Sequence, residues 1–338
     1  MAPNPALQES SLLFSTPTFR ALENNLKGDI NAVRRAKIVA FVKDANDAPL
    51  AVKCAREPGL PLAIRGGRHS PAGSSSSEGI VIDLSRYVNE CRVDPERKLA
   101  YVGGGAIWKT VDETATTHGL ATVGGTVNHT GVGGPYTWRW VWMVSRRPRT
   151  CGGQPSAGPS DATGEVPYEQ MNSLQNSNFP HGRNYYFQGA IQNHYSAAAA
   201  KKAFERVCEV SLKDVSIVLG IELYPLRKVN SIPKDAMAFN LRGAESNIFS
   251  LAAWDDDSYE AALRGKEAAH AVTQSISISE ERPKTSSVMA YGNYLGDEKL
   301  SSERSLKVFG ENYPRLQQLK KKYDPDMLFS KWFKIVPA

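Results

Sequence analysis

The stretch that decides the fold is Pro61-Leu-Ala-Ile-Arg-Gly-Gly-Arg-His-Ser70. A short apolar run reads as a buried strand, and the strand ends by delivering an arginine and two glycines into a loop. Such a loop puts backbone N–H groups and a guanidinium where a pyrophosphate can be cradled, and glycine lets the anion approach the backbone. Working outward, Ile38 to Val42 reads as a preceding strand. Asn46-Asp47 caps a helix with Leu50, Ala51, Cys54 and Ala55 on one face, and Ile80 to Leu84 is a third strand. Leu99 to Val102 runs as a strand into Gly103-Gly-Gly105, and Ile107 to His118 reads as a helix stopped by Gly119. Gly124-Gly125 and Gly131-Val-Gly-Gly134 are further glycine-rich turns. Neither fits the usual strand, G-x-G-x-x-G, helix register, so nicotinamide dinucleotides are disfavoured.

Length and composition set the frame. The chain has 338 residues, 41% apolar and 22% charged, values of an ordinary globular protein of one large or two average domains. The first ten residues lack a basic n-region, and no stretch approaches a membrane span; a cytoplasmic protein without membrane partners is expected. Cys54, Cys91, Cys151 and Cys208 are scattered, with neither a disulfide framework nor zinc-ligand spacing. His129, His181, His194 and His270 likewise show no ligand spacing, and solvated or capping roles are expected of them.

The second half alternates differently. Tyr168 to Ala190 reads as loop, Ser196 to Asp214 and Ser258 to Ser275 as helices, and Val215 to Leu223 and Ile248 to Trp254 as strands. Leu306, Phe309, Tyr313, Leu316 and Leu319 predict one amphipathic helix reaching Tyr323, ended by Pro325.

Pro61 to Ser70, with Gly79-Ile-Val-Ile-Asp-Leu-Ser85, Val102-Gly-Gly-Gly-Ala-Ile-Trp108 and His118-Gly-Leu-Ala-Thr-Val-Gly-Gly125, resembles the FAD-binding domain of the vanillyl-alcohol-oxidase (PCMH) type. Ala290-Tyr-Gly-Asn-Tyr294, Tyr323-Asp-Pro-Asp-Met-Leu-Phe329 and Lys331-Trp-Phe333 look like the C-terminal signature of its berberine-bridge-enzyme-like branch. The resemblance implies an α+β fold: an incomplete PCMH-type FAD-binding domain of two subdomains over 1–134, then a truncated antiparallel-sheet substrate domain over 165–338. It implies FAD as cofactor, bound by Arg65, Gly66, Gly67, Arg68, His69, Ser70, Gly124, Gly125, Gly131, Gly133 and Gly134, with His69 forming a histidyl bond to the flavin. Arg68 stands where the family usually has glycine. Tyr291 and Asn293 match the catalytic motif, and the tyrosine acts as base in some relatives. The implied reaction is hydride transfer from a small alcohol, sugar or amine, with oxygen as electron acceptor. A non-catalytic remnant without flavin is the alternative.

One segment departs from the pattern. Pro135 to Gly164 holds Trp138, Trp140 and Trp142, half of the chain's six tryptophans. It also carries Arg139, Arg146, Arg147 and Arg149 against Asp161 alone, half of the net charge of +6. An aromatic and basic patch suits single-stranded nucleic acid, but the reading frame offers a better account. Back-translating from Pro135 and dropping one base forces three glycines and a tryptophan, and permits Leu-Thr-Leu-Gly-Gly-Gly-Tyr-Gly-Trp. Residues 135–164 are therefore expected to be out-of-frame translation, and no nucleic-acid partner is expected.

Overall fold

The computed structural model describes residues 36–70, 73–122, 124–125, 127–133, 141–143, 167–174, 176–192, 197–211, 214–223, 227–238, 242, 246–278, 292–294 and 302–338. These divide into two compact units. The first holds the described residues up to Arg139 together with those from Glu165 to Arg183, and the rest form the second.

In the first unit, β1 (Ile38–Phe41), β2 (Leu62–Arg65) and β3 (Ile80–Asp83) form a parallel sheet in the order β1-β3-β2. The central strand reads Ile-Val-Ile-Asp and is buried at every position, as expected of a parallel strand flanked on both sides. Between β1 and β2 runs α1 (Asp47–Arg56), which buries Ala51 and Ala55 but leaves Leu50 exposed. Its start is capped by Asp44 rather than by Asn46: the Asp44 Oδ1 accepts from the N–H of Asn46 at 2.6 Å and of Asp47 at 3.3 Å. A hairpin of β4 (Cys91–Asp94) and β5 (Leu99–Val102) leads into α2 (Trp108–Thr116), where Trp108 and Val111 pack with Ala106 and Val132.

The second unit is a four-stranded antiparallel sheet in the order β6-β8-β9-β7, made of β6 (Val141–Met143), β7 (Asn184–Gln192), β8 (Val215–Leu223) and β9 (Ser246–Trp254). Two strands of this sheet were not legible in the sequence. β6 lies inside the tryptophan-rich segment. β7 falls where a loop was expected, because Asn-Tyr-Tyr-Phe-Gln-Gly-Ala-Ile-Gln shows no polar and apolar alternation when both of its faces are covered. A helix of one turn, α3 (Tyr168–Met171), belongs to the first unit; α4 (Ala197–Val210) and α6 (Tyr259–Ile278) belong to the second. They bury one face of the sheet through Tyr186, Val207, Ile217, Trp254, Ala269 and Val272. Trp254 is 1% exposed, and truncating so large a buried side chain costs about 3–5 kcal/mol. Short α5 (Arg227–Asn230) follows β8.

The expected C-terminal helix is two helices, α7 (Ser302–Phe309) and α8 (Tyr313–Tyr323). Gly310, at φ 49°, begins a 3-10 turn that separates them. Beyond α8, Asp324 pairs with Lys320 and accepts from the N–H groups of Leu328 at 2.8 Å and Phe329 at 3.0 Å, which fixes the turn containing Pro325.

Cys54, Cys91 and Cys208 carry no disulfide, and Cys151 lies outside the described residues. Among the described residues no helix is long and apolar enough to cross a membrane.

Candidate functional site: a glycine cradle and a buried acid

β2 ends at Arg65 opposite Asp83 of β3. Asp83 is fully buried; its Oδ2 lies 3.4 Å from the Arg65 Nε, and its Oδ1 accepts from the Ser85 N–H at 2.8 Å and hydroxyl at 2.6 Å. Burial lowers the Arg65 pKa to about 10, with Asp83 opposing and the nearby Arg68 adding to the fall, so Arg65 remains a cation at neutral pH.

Beyond Arg65 three loops meet backbone to backbone. A Cβ on Gly67 would lie 2.2 Å from the Gly131 Cα, and one on Gly66 would lie 2.5 Å from the Gly104 carbonyl oxygen. No side chain fits at either place, which is why these positions are glycine. Gly133 faces the same Gly104 carbonyl at 3.4 Å. Gly124 and Gly125 instead lie against the Trp108 indole, at 2.8 and 3.0 Å from an added Cβ. Ser70 closes its own turn, its carbonyl accepting from the Gly73 N–H at 3.3 Å. Gly134 lies outside the described residues.

Arg68 holds a left-handed backbone conformation, φ 59°, which costs a non-glycine residue about 1–2 kcal/mol. The glycine expected here by resemblance would adopt it freely. The Arg68 Nη1 is buried without a hydrogen-bond partner among the described residues.

Next to it the His69 ring lies 5.4 Å, centroid to centroid, from His129, and His129 lies 4.5 Å from His181. Burial, then the charges of His129 and His181, push the His69 pKa down to about 4, so its imidazole is neutral at pH 7. Burial, then the charge of His181, lowers the His129 pKa as well, against backbone hydrogen bonds that raise it. Spacing along the chain does not reveal this histidine group, because His181 arrives from a distant segment. That segment is tied down by Asn172, which donates to the Asp112 Oδ2 at 2.8 Å, by Asn176, which donates to the Asn128 Oδ1 at 2.8 Å, and by the Tyr168 hydroxyl on the Thr122 carbonyl. Asp112 is itself buried, and its pKa is pushed up to about 6, chiefly by that burial.

The second unit carries a different group on the sheet face opposite α4 and α6. Register pairs Glu222 with Asn247, Gly220 with Phe249 and Val218 with Leu251, and directly paired residues share a face. Phe249 lies over Gly220, where an added Cβ would meet its ring at 2.3 Å. The Tyr294 hydroxyl donates to the Glu222 Oε1 at 2.7 Å, and the Asn247 amide donates to the Oε2. The Tyr294 ring stacks on Phe187 at 5.5 Å and tilts against Phe249 at 5.1 Å. Glu222 is 1% exposed, and burial raises its pKa to about 8 against the two hydrogen bonds that lower it. It holds a proton at neutral pH and exchanges it close to that range, as a general acid or base must.

Tyr291 lies outside the described residues, and Asn293 is described only as part of the 3-10 turn Gly292–Tyr294. That turn lies against Phe333, 3.1 Å from an added Cβ on Gly292, so two pieces of the C-terminal signature meet. His270 is bonded at 2.9 Å to the buried Tyr186 hydroxyl rather than solvated. Among the described residues no three acidic, histidine or cysteine side chains are grouped to hold a metal.

A profile described as FAD binding domain matches residues 36–137, and one described as berberine and berberine like matches residues 290–331. These matches and the FAD-linked relatives support a berberine-bridge-enzyme-like FAD-binding oxidoreductase with FAD as its cofactor. The FAD-linked oxidoreductase pgmH of Aspergillus terreus is 24% identical across 91% of this chain and 89% of its own length. Chitooligosaccharide oxidase shares the fold with a TM-score of 0.77 at 14% identity, covering 98% of this chain and all of that one. 6-Hydroxy-D-nicotine oxidase of Arthrobacter nicotinovorans does so with a TM-score of 0.73 at 17% identity, covering 96% and 97%. The residues in place suit the group: a glycine cradle closed to side chains, a buried guanidinium nitrogen without a partner among the described residues, and a neutral histidine beside it.

Proposed function

We propose that this chain is built as an oxidase of a small alcohol, sugar or amine, with FAD joined to His69 through a histidyl bond. FAD, when bound, accepts hydride and returns the electrons to oxygen as hydrogen peroxide. The single observation that carries the reading is the Tyr294 hydroxyl bonded to the buried Glu222 carboxyl. A phenol is a weak base at its ordinary pKa of about 10 unless its proton has somewhere to go. Glu222 in its ionised form provides that place. The substrate O–H or N–H proton passes to the Tyr294 oxygen as the Tyr294 proton passes to the Glu222 Oε1, and Asn247 holds the other carboxyl oxygen in position. His69, kept neutral by burial, has a ring nitrogen free of a proton for bonding to carbon. Tyr291 remains the rival base, with Asn293 beside it in the same motif, and phenylalanine variants of the two tyrosines separate the alternatives.

The test of the whole reading is the colour of the purified protein. A flavin spectrum that stays with the acid-precipitated pellet, and moves to the supernatant in His69→Ala, supports it. A pellet and a supernatant that are both colourless oppose it.

A non-catalytic remnant is the second reading, and one observation favours it. The alignment with pgmH spans 449 positions, of which 91% of a 338-residue chain fills only about 308. More than a hundred positions of the relative therefore have no counterpart here. We also propose that residues 135–164 are translated out of frame, a reading supported by the FAD-domain match ending at residue 137. Sequencing the transcript across the Gly134 codon tests this: one surplus base, or a splice site that restores the frame, is expected. Peptides spanning 135–164 in the native protein, from a transcript without either, would refute it.

A further inference from the structure

Arg68 is strained, and one of its guanidinium nitrogens is unanswered among the described residues. Its backbone sits at φ 59°, and its Nη1 is buried with no partner among the described residues. Among the described residues, the charged and titratable groups that act on its neighbours Arg65 and His69 are Asp83, His129, His181 and Arg68 itself. Asp83 is the one carboxylate of that set, and it is already committed to Arg65 and Ser85. The histidines offer no negative charge. Gly66 and Gly67 lie against the backbones of Gly104 and Gly131, so those loop positions contribute no side chain that could neutralise a second guanidinium. A buried guanidinium nitrogen without a hydrogen-bond partner is unfavourable unless a ligand supplies one.

We propose that Arg68 is a phosphate-binding residue, its guanidinium gripping the diphosphate of a ligand held at the glycine cradle. The proposal rests on residues 36–137 being a FAD-binding domain, which makes that ligand FAD, and it adds a cation of this chain's own where the family's pattern has glycine. A guanidinium fork matches two phosphate oxygens at once, which a single backbone N–H does not. The gain in binding accounts for a residue that the left-handed conformation disfavours.

Calorimetric titration of the purified 338-residue chain with inorganic pyrophosphate, ADP, FAD and riboflavin tests this in the wild type, Arg68→Gly and Arg68→Lys. Glycine relieves the left-handed strain, so ligand-free Arg68→Gly is expected to melt at or above the wild-type temperature. Its Kd for pyrophosphate and ADP is expected to rise at least about tenfold, the usual worth of a hydrogen bond to a charged group. Arg68→Lys keeps the charge without the fork and is expected to fall between. Whatever affinity the chain has for riboflavin, which has no diphosphate, is expected to stay unchanged. Equal or tighter pyrophosphate binding by Arg68→Gly overturns the proposal, as does a parallel loss for riboflavin or a wild type that ignores pyrophosphate. A wild type that binds pyrophosphate through Arg68 but takes up no FAD leaves the phosphate assignment standing and sinks the FAD reading instead.

Discussion

The glycine cradle and the acid-aromatic face solve opposite problems. Around Gly66, Gly67, Gly104 and Gly131 the side chains are missing so that backbones can touch, and the surplus charge is positive, from Arg65 and Arg68, with three histidine rings beside them. Around Glu222 the sheet backbone is regular, and everything depends on the side chains, with one buried acid among Phe187, Phe249 and Tyr294. The first arrangement suits an anion, and the second suits a proton. A cofactor with a diphosphate needs the one, and the removal of a substrate proton needs the other.

The largest effect that would break this contrast is on the proton. Tyr294→Phe is expected to slow anaerobic flavin reduction by a factor of about 100 to 10,000, the range of general acid–base groups, with cofactor content unchanged. Stopped-flow absorbance measures it. An unaltered rate constant, together with a slow Tyr291→Phe, would move the base to Tyr291.

The cradle is the next target. Gly67→Ala drives a methyl into the Gly131 backbone, and overpacking of this kind destabilises by about 1–3 kcal/mol. Denaturant unfolding reads the loss. A variant as stable as the wild type would mean that the two loops do not touch.

Acidity sharpens the contrast at smaller scale. The Glu222 pKa is raised in the folded chain from 4.5 to about 8, so the folded state binds the proton more tightly than the unfolded one. Its contribution to stability is full below 4.5 and is lost as pH rises through about 8. Glu222→Gln stays neutral throughout and is expected to flatten the fall in melting temperature across that window. An undiminished fall places the titrating group elsewhere.

Asp112, raised from 3.8 to about 6, follows the same sign with a smaller shift. Asp112→Asn keeps an acceptor for Asn172 and is expected to melt slightly higher than the wild type above that pH, with no gain below 3.8. A gain of equal size at both ends would show that charge plays no part.

Legibility divided along the same line. The cradle could be read from Pro61 to Ser70 and from the later glycine runs, because a backbone that must touch another backbone writes itself as consecutive glycines. The helices α4 and α6 and the strands β8 and β9 followed from period and apolar runs. The acid site did not, although one signal was present: Glu222 is the single charged residue of the nine in Val-Ser-Ile-Val-Leu-Gly-Ile-Glu-Leu. An acid in an otherwise apolar strand has to be answered by a partner. Asn247 and Tyr294 answer it through strand register and through a turn far along the chain, neither of which local sequence encodes. The same distance hid the approach of His181 to His129, and β7 was lost because a strand covered on both faces has no alternation to detect.

The touch between Gly67 and Gly131 also sets an order of events. It joins positions about sixty residues apart, and closing so long a loop is entropically uphill until the intervening strands and α2 have organised. The cradle is therefore expected to close late, after the barrier to folding has been crossed. Crowding it with Gly67→Ala should hasten unfolding and leave the refolding rate nearly untouched, which the two arms of a chevron plot measure separately.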